Sequence, residues 1–431
     1  MRPYPALSLV LALACAMPAL ASDEAALSIA DQATMTTEEP RDWRVFVEGA
    51  LRETSRRATG AVSHGARLSI DLRYDKVVTP GLRAVFADRL DLNRYYGAPG
   101  DGNINTLKEA YLSWQPQPDR IADFGRINVR SGSAVGYNPT DYFKVGALRS
   151  VSSVDPASLR ENRQGSAMLR GQALWDGGSV SALYSPKLAD RPNSGAYNLD
   201  LGSTNQRDRW LVTASHKFGQ FNPQLLLTGG EGQSAQVGLN LSGLLNDSTV
   251  AFVEWSGGRS RSLLSQALLS QALLSQVLLS QALGTADDAR LRNRVAAGVT
   301  HTTASNISLT AEYDYNGAGL DKAEWDALRR GSLAAYGRYR TFASIAQDPA
   351  TRHNLFFYAT WTDALIKHFD LTAMLRYDAV DSSRLQWLEA RYHWTKVDLA
   401  LQAQVNSGKA TSNFGALRDR RITQVLLRYF F

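Results

Sequence analysis

Residues 125–165 gather Arg126, Arg130, Lys144, Arg149, Arg160 and Arg163 against Asp141, Asp155 and Glu161. Fixed charges of both signs facing one another across an aqueous path create a transverse field that sorts solutes by charge. That chemistry makes and breaks no bonds. The same stretch holds Tyr137-Asn138-Pro139-Thr140-Asp141-Tyr142-Phe143, where Pro fixes a backbone dihedral and Asn, Thr and Asp bond locally to the main chain. A connection of over 30 residues with this turn chemistry is expected to be folded. The plainer alternative is a surface loop whose charges are solvated.

Catalysis and metal binding find less support. A nucleophile and base on one strand face require His and Ser two residues apart. The residues two positions after His64, His216, His301, His353, His368 and His393 are Ala66, Phe218, Thr303, Leu355, Asp370 and Thr395, none of them Ser. Asp314, Asp363 and Asp378 form no distinctive hydrolytic set. No His cluster has ligand spacing, and Asp200–Asn205 is only a weak calcium-type run. The one cysteine, Cys15, lies in the N-terminal apolar stretch. No catalytic residue, metal or cofactor is expected.

The elements that must position the charged loop read as strands. Leu68, Ile70, Leu72 and Tyr74 alternate with Arg67, Ser69, Asp71 and Arg73, a period of two with one apolar and one wet face. About eighteen such segments of roughly ten residues follow one another from Trp43, with sixteen as the alternative count. The connections alternate short and long. KVVTPG, QPQPDR, DGG, FGQ, LLND, TASN and LIKH are short, with an eighth turn at either Val380–Ser383 or Thr395-Lys396. The intervening connections include 53–65, 93–103, 131–163, 188–206, 258–292, 317–353 and 407–420. A β-sandwich has no reason to keep that parity. A transmembrane antiparallel β-barrel does, with tight periplasmic turns and long external loops. Trp114, Trp175, Trp210, Trp361, Trp394 and Tyr429 gather toward strand ends, as interfacial girdles would.

The two ends of the chain fit this class. Arg2, the apolar run Ala6–Leu20 and Ala19-Leu20-Ala21 have the form of a cleaved signal peptide, residues 1–21. Residues 22–41 read as a polar periplasmic lead-in, and 42–431 as the barrel. No run of eighteen apolar residues follows residue 21. At the other end, Val425, Leu427, Tyr429 and Phe431 share one strand face. This terminal strand resembles the assembly signal of bacterial outer-membrane barrels, which implies recognition by the barrel-assembly machinery.

Residues 262–283 repeat LLSQA or LLSQV. A five-residue period advances a helix by about 500°, so successive Leu pairs spiral and form no single stripe. The segment reads as a tandem duplication in a tolerant loop, or as a partner-binding or membrane-lying helix. Net charge is +6, without a basic block suited to nucleic acid. The excess base suits lipopolysaccharide or the pore lining.

A further resemblance lies at Phe124-Gly125-Arg126, followed by Asn138-Pro139 and a downstream Arg. These residues resemble the third-loop region of alginate-export-type and related porin-like barrels, with residue-level likeness confined to 124–163. It implies an all-β transmembrane barrel whose third loop narrows the pore. The expected inward positions Arg73, Glu109, Arg170, Lys217, Glu312, Asp314, Arg376, Asp378, Glu389 and Arg391 are mixed in sign, unlike an exporter's dense arginine path, so the alginate substrate is not carried over. The resulting expectation is a porin-like outer-membrane channel for small solutes, with anions favoured by the arginines. Arg126, Arg130, Arg149, Arg160 and Arg163 would form the constriction, with Asp141 and Glu161 opposite. The alternative is an export-system component or a surface-binding barrel. Expected partners are outer-membrane lipid and lipopolysaccharide, with monomer or homo-oligomer left open.

Overall fold

The computed structural model describes residues 42–95, 102–272 and 288–431. The expected signal peptide, the lead-in and most of the repeat segment lie outside them. Eighteen strands are present. They begin with β1 (Trp43–Arg56), β2 (Val62–Thr79), β3 (Leu82–Tyr95), β4 (Ile104–Gln117), β5 (Arg120–Ile127) and β6 (Ser166–Trp175). Next come β7 (Gly178–Ser185), β8 (Arg209–His216), β9 (Phe221–Gly230), β10 (Gln233–Asn246), β11 (Thr249–Ser260) and β12 (Arg290–Thr302). The last are β13 (Ile307–Asn316), β14 (His353–Trp361), β15 (Phe369–Asp378), β16 (Arg384–His393), β17 (Val397–Ser407) and β18 (Asp419–Phe430).

Each strand pairs antiparallel with its sequence neighbours, and β18 pairs with β1 from Phe46↔Phe430 to Arg56↔Asp419. The sheet therefore closes, leaving no edge with unpaired N–H and C=O groups. The eighteen-strand reading is the correct one.

Alternation sets the wall. Val425, Leu427, Tyr429 and Phe431 are 44%, 54%, 42% and 50% exposed on the outer face, whereas Gln424 and Leu426 point inward. Leu68, Ile70, Phe86, Leu112 and Phe124 continue the outer apolar band. Exposed aromatics ring the short-turn end, where Trp43, Trp114, Trp175, Phe218, Phe221 and Trp394 flank the turns. This is the arrangement of a lipid-facing wall with an interfacial girdle. Among the described residues no helix is long and apolar enough to cross a membrane.

The long connections all lie at one end, as expected, together with the short 57–61, 231–232 and 379–383, and two expectations are corrected. The eighth short turn is 394–396; Val380–Ser383 belongs to the long-loop end. The connection expected at 53–65 shrinks to 57–61, because β1 and β2 pair out to Ser55↔Val62.

The long connections fold against one another. Loop 128–165 contains α1 (Pro156–Glu161) and loop 186–208 contains α2 (Leu201–Thr204). In the next long connection α3 (Leu263–Ala272) comprises the first two repeats. Loop 317–352 contains α4 (Lys322–Arg330) and α5 (Leu333–Ala346). Asp321 and Glu324 form a reciprocal capping box at the start of α4. Trp325, Tyr336 and Tyr339 build a buried core with Leu263 and Ala267 of α3 and with Val380. The described part of the repeat thus packs through Leu263 and Ala267 into a folded cap.

Candidate functional site

Loop 128–165 is anchored inside the barrel. Its Phe143 packs on Ile127, Met168, Leu183, Leu211 and Leu226, an apolar patch on the inner wall of β5–β9. Its far limb crosses to the opposite wall. There Glu312 of β13 accepts hydrogen bonds from the main-chain N–H groups of Val135 (2.9 Å), Gly136 (3.1 Å) and Tyr137 (2.9 Å). Glu254 of β11 accepts from Ala134 N–H (2.6 Å) and from the Thr140 hydroxyl (3.1 Å). Gly132, at φ +85°, permits this approach, since a Cβ there would lie 2.2 Å from Glu254 Oε1. On the same wall, Tyr358 donates to Asp155 (2.8 Å), which also caps α1 through Ser158 N–H (2.9 Å). Burial raises the Asp155 carboxyl above the usual range, opposed by these two bonds.

Two cavities flank the loop inside the barrel. The one toward the short turns has a volume of about 460 Å³ and is lined by Arg67, Arg89, Arg391, Arg428, Glu48 and Glu389 among others. The other, toward the long loops, is about 380 Å³ and lies between loop 128–165, α5 and loop 408–418. Val135, Pro156 and Arg160 line both and so sit at their junction.

The charges differ in how they are held. Arg163 pairs with Asp141 (2.6 Å) and Lys144 with Asp348 (2.8 Å), so these largely cancel. Burial alone would raise the Asp348 carboxyl, but Lys144 and Arg294 bring it below the usual range. Arg160, Arg340 and Arg376 instead donate to main-chain carbonyls, those of Ala134, Asn413 and Gly136. Among the described residues none of these three guanidiniums is within ion-pair distance of a carboxylate. Arg340 and Arg376 also lie over the rings of Tyr336 and Phe356. Burial pulls the Arg160 guanidinium somewhat below the usual arginine range, opposed by Glu254 and Asp141.

Of the seven expected constriction residues, Arg160, Arg163 and Asp141 line the long-loop cavity, and Arg160 and Glu161 the other. Glu161 pairs with Arg44 (2.8 Å). Arg126 and Arg149 lie outside both cavities. Arg126 donates to the carbonyls of Gly165 (2.8 Å) and Leu199 (2.6 Å), and Arg149 to those of Asn198 and Gly195, so both tie the loop to 186–208. Arg130 is exposed and lines neither. Sequence reasoning missed Arg340, which sits on a helix of a distant loop, and the anchoring role of Glu254. Arg126→Ala is expected to make 186–208 several-fold more susceptible to protease while leaving ion selectivity unchanged. A selectivity shift in that variant would mean that Arg126 reaches the path.

No protein-family model matches the chain, and a search of curated proteins finds no sequence match. Solved structures do resemble it. OpdQ of Pseudomonas aeruginosa aligns over 91% of this chain and 99% of its own at 10% identity and TM-score 0.53. A BenF-like porin from Pseudomonas fluorescens Pf-5 aligns over 90% and 98% at 11% identity and TM-score 0.52. OccK2 (OpdF) of Pseudomonas aeruginosa, solved in complex with glucuronate, aligns over 90% and 97% at 9% identity and TM-score 0.52. At these identities the likeness is one of fold: the chain is a porin-like barrel. The resemblance of 124–163 to alginate-export barrels gains no support from these comparisons.

Proposed function

We propose that the protein is an outer-membrane channel for passive passage of small anionic solutes, with the short turns periplasmic and the long loops external. The observation that carries this reading is Arg160, shared by both cavities and compensated by a carbonyl dipole in place of a carboxylate. Arg340 and Arg376, likewise bonded to main-chain carbonyls, add positive charge along the outer cavity. A solute carboxylate passing this point gains attraction that a cation does not. The glucuronate complex of OccK2 is compatible with the reading, since a barrel of like fold is seen with an anionic solute. Among the described residues, Leu263 and Ala267 of α3, Trp325 of α4 and Tyr336, Tyr339 and Ala343 of α5 pack against one another.

The test is planar-bilayer recording of the refolded mature chain under a salt gradient. Ohmic openings with a reversal potential on the anion side are expected. A folded, heat-modifiable barrel that never conducts, or one that prefers cations, contradicts the proposal.

A further inference from the structure

We infer that Glu312 is a latch: it holds the 134–137 segment against the inner wall, and its release joins the two cavities into one passage. The inference rests on the channel reading above. Three consecutive main-chain N–H groups converge on this one carboxylate, at 2.9, 3.1 and 2.9 Å. Successive N–H groups of this kind form an anion-binding concavity, and here the occupant is a side chain of the barrel itself. The segment so held includes Val135, one of three residues at the junction of the two cavities.

The remaining contacts show that the latch is local. Phe143 fixes the near limb on the opposite wall by apolar packing that does not involve Glu312. Asp155 fixes α1 through Tyr358. Between Ile127 at the end of β5 and Phe143, the 134–137 segment is held by acceptors on β11 and β13, by a bond from Arg376 to the Gly136 carbonyl (3.2 Å), and by packing of Ala134 and Tyr137 on Phe252 and Ala296. A loop pinned at both ends and latched in the middle can move its middle without leaving the lumen. The replacement Glu312→Gln has nearly the same shape but keeps a single, uncharged acceptor oxygen and sets an amide N–H₂ against the remaining N–H donor, which it cannot accept from. It therefore weakens the latch and spares the wall.

The mature chain is expected to carry no cysteine, so Val135→Cys supplies a single reporter for a membrane-impermeant maleimide. In folded protein the labelling rate should rise by about tenfold or more when Glu312→Gln is added, the equivalent of one charge-assisted hydrogen bond lost. Single-channel current should rise or become noisier in parallel. If Glu312→Gln does not fold, Gly136→Ala offers a second route. Its Cβ would meet Phe356 Cγ at 2.4 Å and displace the segment without touching the carboxylate, and the same acceleration is expected. Equal labelling rates with and without the change overturn the latch. Accelerated labelling in a barrel that never conducts keeps the latch and overturns the channel reading, so the two failures are distinguishable.

Discussion

Replacing Arg160 and Arg340 together by Glu is expected to turn an anion-preferring conductance into a cation-preferring one. Both side chains line the outer cavity, and Arg160 also faces the inner one. A unit charge acts on a monovalent ion about 4 Å away with roughly 1 kcal/mol in bulk water and about 4 kcal/mol near a protein surface. Reversing a charge changes the sign as well as removing the attraction, and about 1.4 kcal/mol is already a tenfold preference. Two reversals therefore suffice to move the reversal potential across zero. The effect should be largest near 0.1 M salt and shrink at 1 M, as the screening length falls from about 10 Å to about 3 Å. Arg149→Glu with Arg126→Glu is the matched control, since those arginines lie outside both cavities. A reversal potential unchanged in the first pair, or moved equally in the second, would show that these cavities are not the ion path.

The second large effect concerns the seam. Glu48 of β1 is 3% exposed and accepts from Arg67 of β2 (2.6 Å), Arg89 of β3 (3.2 Å) and Arg428 of β18 (2.8 Å). One carboxylate thus joins four strands across the closure of the barrel. Removing it strips Arg428 of its carboxylate and leaves Arg67 and Arg89 with Asp91 and Asp71 alone, and breaking a buried pair costs about 3–5 kcal/mol. Glu48→Ala should lower the temperature at which the folded, heat-modifiable form is lost and slow the refolding yield. Glu48→Gln, which retains one acceptor oxygen, should fall between it and the parent. Equal urea midpoints for all three proteins would mean that solvent in the lumen already compensates these arginines.

All eighteen strands were legible because lipid on one side and water on the other impose a period of two that no tertiary contact overrides. Leu68, Ile70 and Leu72 have to face outward wherever the strand lies in the barrel. The inserted loop was legible only as a folded segment. Its lining could not be sorted by type, since Arg126 and Arg160 are the same residue in the same connection. What separates them is which carbonyl each meets, Leu199 in loop 186–208 for one and Ala134 for the other. Arg340 depends on Trp325 and Tyr339 seating α5 over the barrel, a placement no local pattern encodes. The Asp321–Glu324 capping box was a signal available in the sequence that would have marked α4. Glu254 and Glu312 are inward by alternation, yet nothing local tells a carboxylate that meets solutes from one that meets main-chain N–H groups.

The anchors of the inserted loop carry a consequence for the order of assembly. Ala134 and Tyr137 bond to residues that follow them by 120 and 175 positions. Contacts so distant along the chain form late, after the intervening chain has been ordered. The strands that bear Glu254 and Glu312 have to stand in the wall before the loop has anything to dock on. On the proposed channel reading, the wall then precedes its own constriction: discrimination is added last, when the third connection docks inward.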